Sequence, residues 1–173
     1  SEILLLCSVV FIIIIIGLIA FVAAPNHWDS MTYRLSRVFH WIQNHNINHY
    51  PTHIIRQLVY TPGSEFIIMH FQILSSTDRF VNLIQWFCML SSILGVSLIA
   101  KQLKADIHGQ IFSAIICATI PMGIIQGSSS STDYIVSFWL VCFVYNILLI
   151  LEQGINRSLL LKAGASFGLA LLT

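Results

Sequence analysis

Asp29, Tyr33, Arg37, His40 and Asn44 recur at helical spacing, which sets an acid, a phenol and a guanidinium along one face of a candidate helix. Arg34 adjoins them. A second polar cluster runs Tyr50-Pro51-Thr52-His53-Ile54-Ile55-Arg56-Gln57 and is followed by Thr61-Pro62-Gly63-Ser64-Glu65, where the prolines and glycine predict a turn. A third begins at Gln126-Gly127, continues through Ser128 to Thr132 and ends on the acid Asp133. A carboxylate can take the proton of an attacking hydroxyl, and a planar guanidinium can hold two oxygens of a departing phosphate. Asp29 and Asp133 are therefore the candidate catalytic acids, and Tyr33, Arg34, Arg37, His53, Arg56, Gln57 and Glu65 are candidate substrate-binding residues. Each also has a plainer use. Asp29 or Ser30 can cap the helix that follows, Asp133 can cap the next one, and exposed arginines can anchor to lipid headgroups.

His45, His49 and His53 raise the question of a metal, because i, i+4 spacing on a helix can bring two imidazoles to one ion. Pro51 interrupts that helix, and no HExxH pattern is present, so no metal site is assigned. Cys7, Cys88, Cys117 and Cys142 lie in apolar runs without CxxC spacing and read as small hydrophobic residues. No cofactor is firmly predicted, and a divalent metal is disfavoured by this sequence without being ruled out.

The elements that must position these groups are written in the composition. Of 173 residues, 57% are hydrophobic and 9% charged, and mean hydropathy is +0.84, which excludes an ordinary soluble enzyme and a disordered tail. A net charge of +1 offers no field to recruit nucleic acid. The chain reads as an all-α membrane protein with polytopic transmembrane helices. Uncharged runs predict spans at about 3–24, 80–100, 109–128 and 134–151, each long enough for a hydrocarbon core of roughly 30 Å, with a fifth starting at 163. The first run is longer than the apolar part of a secretory leader and lacks a basic start, so it reads as a span. The short fifth run and the absence of an initial Met suggest the N-terminal portion of a longer protein.

Residues 25–79 then form a polar outer loop that holds four of the eight basic residues and six of the seven histidines. Within it Met31, Leu35, Val38 and Ile42 predict the apolar stripe of an amphipathic juxtamembrane helix, flanked by Trp28, Trp41 and Tyr50 as interfacial aromatics. Phe66 to Leu74 is about half a span long and reads as an interfacial or re-entrant helix. Lys101, Lys104, Arg157 and Lys162 mark the cytoplasmic side. Counting spans then puts Asp29 and Asp133 together on the extracytoplasmic face. Asn82, Gln85 and Asn146, the notable polar residues inside spans, read as helix-to-helix hydrogen bonders.

In this arrangement the sequence resembles a known family. One span, a long outer loop opening with Trp28-Asp29-Ser30-Met31-Thr32-Tyr33-Arg34-Leu35-Ser36-Arg37, the stretch HWIQNHNINHYPTHIIRQ at 40–57, and a later Ser130-Ser131-Thr132-Asp133 loop resemble the N-terminal part of the GT-C glycosyltransferases. The nearest likeness is to the bacterial protein O-mannosyltransferase and lipid A aminoarabinose transferase group. The family pattern often carries Glu after the first Asp, where this chain has Ser30. The resemblance implies an inverting transfer of a sugar from a polyprenyl-phosphate donor to an acceptor hydroxyl on a glycan, lipid or protein, at the outer face of the inner (plasma) membrane. Asp29 would match the first-loop general base and Asp133 the second-loop acid, while charge logic makes Arg37 and Arg56 candidates for the carrier phosphate. Two other classes compete, a polyprenyl-linked lipid transporter or flippase and a non-catalytic membrane scaffold. Span interiors without charge disfavour the transporter.

Overall fold

The computed structural model describes residues 2–173, and every regular element among them is helical. The order is α1 (Glu2–Val22), a π-helical turn (Ser30–Arg34), α2 (Leu35–Asn44), α3 (Arg56–Val59), α4 (Gly63–Ser75), α5 (Val81–Gln102), α6 (Ile107–Ala118), α7 (Pro121–Gly127), α8 (Asp133–Gln153) and α9 (Arg157–Leu172). Three helices are long and apolar enough to cross a membrane, Ile3–Val22, Val81–Gln102 and Asp133–Gln153. Their surfaces carry Phe11, Leu94 and Leu151 outward, whereas α5 turns Asn82, Gln85 and Ser92 into the interior. That is the reverse of a helix on a water-soluble domain, and it leaves a broad apolar exterior.

The expected straight span at 109–128 is corrected to two helices, α6 and α7, bent by 68°. Pro121 is the cause. Its ring cannot continue a helix and forces the preceding residue out of helical geometry, and Ile120 is extended at φ −60, ψ 117. The bent pair nevertheless carries the chain from one end of the bundle to the other. Asn82 at the start of α5 donates to Ala23 O after α1, at 2.9 Å, and Gln85 bonds the 131–134 segment at the start of α8. At the other end, Gln102 and Lys104 after α5 bond Glu152 at the end of α8. Thus α5 and α8 run the same way, and α6 with α7 carries the chain back between them. Residues 23–80 and 128–133 therefore share one end of the bundle, here called the polar end, opposite the lysine end at Lys101 and Lys104.

The fifth helix also differs from the expected start at 163. It begins at Arg157, where the Asn156 side chain accepts from Ser158 N at 2.9 Å and satisfies a free N–H of the first turn. Lys162 is simply an exposed residue within it. This helix climbs beside α8 until Leu172 meets α4 at Gly63, where an added Cβ would lie 2.7 Å from Leu172 O.

Two apolar clusters hold the bundle. Val9, Ile16, Met89, Ile93, Ala118 and Tyr134 join α1, α5, α6 and α8. Leu35, Val38, Ile68, Val81, Ile84 and Ile135 seat α2 and α4 on the polar ends of α5 and α8. Gln85 joins α5 to the first turn of α8 through Tyr134 N, as expected of a helix-to-helix bonder, and adds a bond to Ser131; Asn82 instead bonds the backbone just after α1, and Asn146 bonds Cys142 O of its own helix.

Candidate functional site at the polar end

The site begins with the π-helical turn that feeds α2. Leu35 N–H donates to Ser30 O, and Ser36 Oγ reaches back five residues to Met31 O at 2.8 Å. Gln57 Nε2 donates to Thr32 O at 3.0 Å, so the carbonyls of the wide turn have side-chain donors that sustain it. Such turns are rare and concentrate at functional positions. The widening also shifts helical phase. Leu35 and Val38 are buried and Ile42 packs on the core, but Met31 is exposed, so the expected four-residue apolar stripe is corrected to three.

Neither expected cap forms. Asp29 occupies the cap position without a side-chain bond to the turn, and instead its Oδ1 lies 3.6 Å from Arg56 Nη1. Ser30 is fully buried and donates to Ser130 O at 2.6 Å. Arg34 donates through Nε to the Tyr33 hydroxyl at 3.1 Å and through Nη1 to Thr132 Oγ1. The Ser30–Ser130 and Arg34–Thr132 bonds cross about a hundred positions of sequence and join the turn to the serine-rich loop. Ser130 Oγ and His27 Nδ1 are buried here without a protein partner.

The serine-rich loop is itself held from below by a residue of α5. Gln85, fully buried, donates to Ser131 Oγ at 2.6 Å and accepts from Tyr134 N at 3.1 Å. A side chain 49 positions away thus satisfies an orphan N–H of α8, the task expected of Asp133. Asp133 is left exposed, on the wall of a pocket of about 300 Å³ shared with Gly123, Gln126, Tyr134 and Ser137. The segments carrying Asp29 and Asp133 are in contact, but the two carboxylates have different surroundings, an arginine for one and the α7–α8 crevice for the other.

The remaining candidates divide sharply. Arg37 and Glu65 are each 2% exposed and 3.9 Å apart. Arg37 also donates to Tyr60 O at 3.0 Å and Arg56 O at 2.8 Å, and its guanidinium carbon lies 5.7 Å from the centre of the Trp41 ring, which stacks on Phe66. Glu65 accepts from Ser64 Oγ at 2.8 Å in the first turn of α4, where the helix dipole favours a carboxylate. Arg37 and Glu65, expected as substrate-binding residues, form a buried pair that pins α3 and α4 onto α2, and each also lines a small pocket. Gln57 is likewise buried and structural. Its Oε1 accepts from Tyr50 at 3.0 Å and Thr52 at 2.8 Å. Burial raises the Tyr50 phenol above its ordinary range, a shift partly offset by the Arg37 charge, so Tyr50 stays protonated and remains a donor. Tyr33 is buried with its ring edge against Tyr60, and Arg34 engages both its hydroxyl and its ring face. His53 is exposed and apart from these groups, and among the described residues no three His, Cys, Asp or Glu side chains converge as metal ligands.

What stays reachable is the Asp29–Arg56 pair, 37% and 53% exposed, beside Arg34 and the serine-rich loop. Gln85 and Ser30 are the contributors that sequence reading missed. The one available signal was a glutamine within an apolar span, which has to find a partner. Comparison with protein families, characterised proteins and solved structures finds no match.

Proposed function

We propose that the chain is the N-terminal, donor-facing part of a GT-C-type glycosyltransferase. It would lie in the plasma membrane with its polar end extracytoplasmic and Lys101, Lys104, Arg157 and Lys162 on the cytoplasmic side. The apolar exterior of α1, α5 and α8 supports a membrane setting. The observation that carries the catalytic reading is the exposed Asp29–Arg56 pair at the seam where Ser30 and Arg34 bond the serine-rich loop.

In this reading the carrier phosphate of a polyprenyl-phosphate sugar draws the Arg56 guanidinium away from Asp29, with Arg34 beside it. The acceptor oxygen attacks the anomeric carbon from the face opposite the phosphate. The carbon–oxygen bond to phosphate breaks with its electron pair going to the phosphate oxygen, and the acceptor proton passes to Asp29. Arginine stabilises the charge growing on the phosphate, and the carboxylate acts late, as the hydroxyl becomes acidic. Asp133, which follows the serine-rich loop, is the second acid of this reading and would orient the acceptor.

The test is transfer of labelled sugar from a polyprenyl-phosphate donor by membranes containing the full-length protein. Asp29→Asn should abolish transfer while leaving membrane abundance unchanged. Undiminished transfer would leave a scaffold as the better account, and movement of the labelled lipid across the bilayer without transfer would favour a flippase.

A further inference from the structure

The bend at Pro121 that splits the expected span also opens a crevice. Past the bend, α7 sets Gly123 and Gln126 against the first turn of α8, which presents Asp133 and Tyr134, and with Ile120 and Met122 these residues line about 300 Å³. The volume is at the low end for small-molecule sites and suits a compact headgroup. One wall is apolar and faces outward. Ile120 is 47% and Met122 62% exposed, and both belong to the apolar exterior. Among the described residues the lining holds one charged side chain, Asp133, and no Lys or Arg.

The inner wall carries an unmet donor. Tyr134 is 8% exposed, its ring packs in the cluster that holds Ile16 and Met89, and its hydroxyl lies over Gly123, where an added Cβ would collide with it. That hydroxyl makes no hydrogen bond among the described residues, yet it is not sealed. Arg37 Nε and the Gln72 amide are closed off in the interior, whereas the phenol oxygen opens on the crevice. The Asp133 carboxylate is equally unpaired among the described residues, and Gln126 commits only Oε1, which accepts from Ser129 Oγ at 3.0 Å. A nearly buried phenol without an acceptor costs free energy until something supplies one.

We propose that this crevice binds the neutral, hydroxyl-bearing headgroup of a lipid of the monoacylglycerol or diacylglycerol type. One headgroup hydroxyl donates to the Asp133 carboxylate, which can only accept, and a headgroup oxygen accepts from the Tyr134 hydroxyl and Gln126 Nε2, which need acceptors. The acyl chain leaves over Ile120 and Met122. An ammonium group would donate to Asp133 but leave the phenol proton without an acceptor, and a phosphate would meet Asp133 with no cation beside it. The site shares Asp133 with the transferase reading, and within that reading the acceptor would be lipid-borne, but binding is measured without transfer, so the two can fail separately.

The probe is monooleoylglycerol, titrated into the full-length protein in a neutral detergent and counted by native mass spectrometry. Its bis-methyl ether, which accepts but cannot donate, and the lysophosphatidic acid of the same chain serve as counterparts. The free diol should bind at least about tenfold more tightly than either. Asp133→Ala should erase the preference over the ether. Tyr134→Phe should weaken diol and ether alike by about fivefold while leaving thermal stability unchanged, since the hydroxyl has no protein partner to lose. Equal affinity for diol and ether, tighter binding of the phosphate or of oleylammonium, or an Asp133→Ala variant that keeps the full preference would each overturn the proposal. Asp133 is exposed, so its variant tests the point even if Tyr134→Phe fails to fold. Selective binding by a protein that transfers no sugar would keep the site and sink the transferase reading, and transfer without selective binding would do the reverse.

Discussion

Two arginine–carboxylate pairs lie close together in the polar layer, and they live in opposite conditions. Arg37 and Glu65 are buried, and Arg37 is further bonded to two backbone carbonyls, whereas Arg56 and Asp29 are half open and share only each other. The backbone links them, since Arg37 Nη2 holds the carbonyl of Arg56 itself. One pair thus fixes the ledge on which the other stands. The lesson is that the buried guanidinium is committed to the fold, and the exposed one is free to exchange its carboxylate for a ligand.

Breaking the buried pair should have the largest effect. Arg37→Met leaves Glu65 charged and unpaired in the interior and should cost about 3–5 kcal/mol, read as a fall in thermal unfolding temperature or failure to accumulate. The double variant Arg37→Met with Glu65→Leu should recover much of that loss. At the exposed pair the response is inverted. On the proposed transferase reading Asp29→Asn should lower sugar transfer by at least about a hundredfold, yet change stability by less than about 1 kcal/mol, because exposed pairs contribute little.

A residue that serves both regions should give a mixed result. Gln85→Leu strips partners from buried Ser131 Oγ and Tyr134 N and should cost about 1–3 kcal/mol, with transfer falling as the serine-rich loop loosens. The smallest effect belongs to Tyr50. Because its folded value is raised, its contribution to stability is complete below the unfolded value of about 10 and is lost as pH rises through the raised one. Tyr50→Phe should cost about 1 kcal/mol at neutral pH and abolish that alkaline decline in pH-dependent unfolding.

The difference between the two pairs also marks how far the sequence could be read. Long uncharged runs require long apolar helices whatever the tertiary contacts, so α1, α5 and α8 were legible almost to their ends. The bend at Pro121 was legible in principle, since proline carries its own backbone rule, but the uncharged run masked it. Arg34, Arg37 and Arg56 have the same chemistry in the sequence, and nothing local says which one α3 and α4 will cover. Periodicity put Arg37 on a polar face, and that face is buried because Tyr60 O, Arg56 O and Glu65 come from segments about 20 to 30 positions away. The π-helical turn was equally hidden, since its supports Ser36 and Gln57 are ordinary residues whose effect depends on where Gln57 is carried.

The account depends most on the Asp29 and Asp133 segments sharing one membrane face, opposite the lysine end. In full-length protein without native cysteines, Trp28→Cys, Asp133→Cys and Lys104→Cys can each be exposed to a membrane-impermeant thiol reagent in intact cells. Positions 28 and 133 should label from outside and position 104 only after the membrane is permeabilised. Labelling of 28 and 133 from opposite sides would contradict the shared site, and with it the transfer chemistry proposed there.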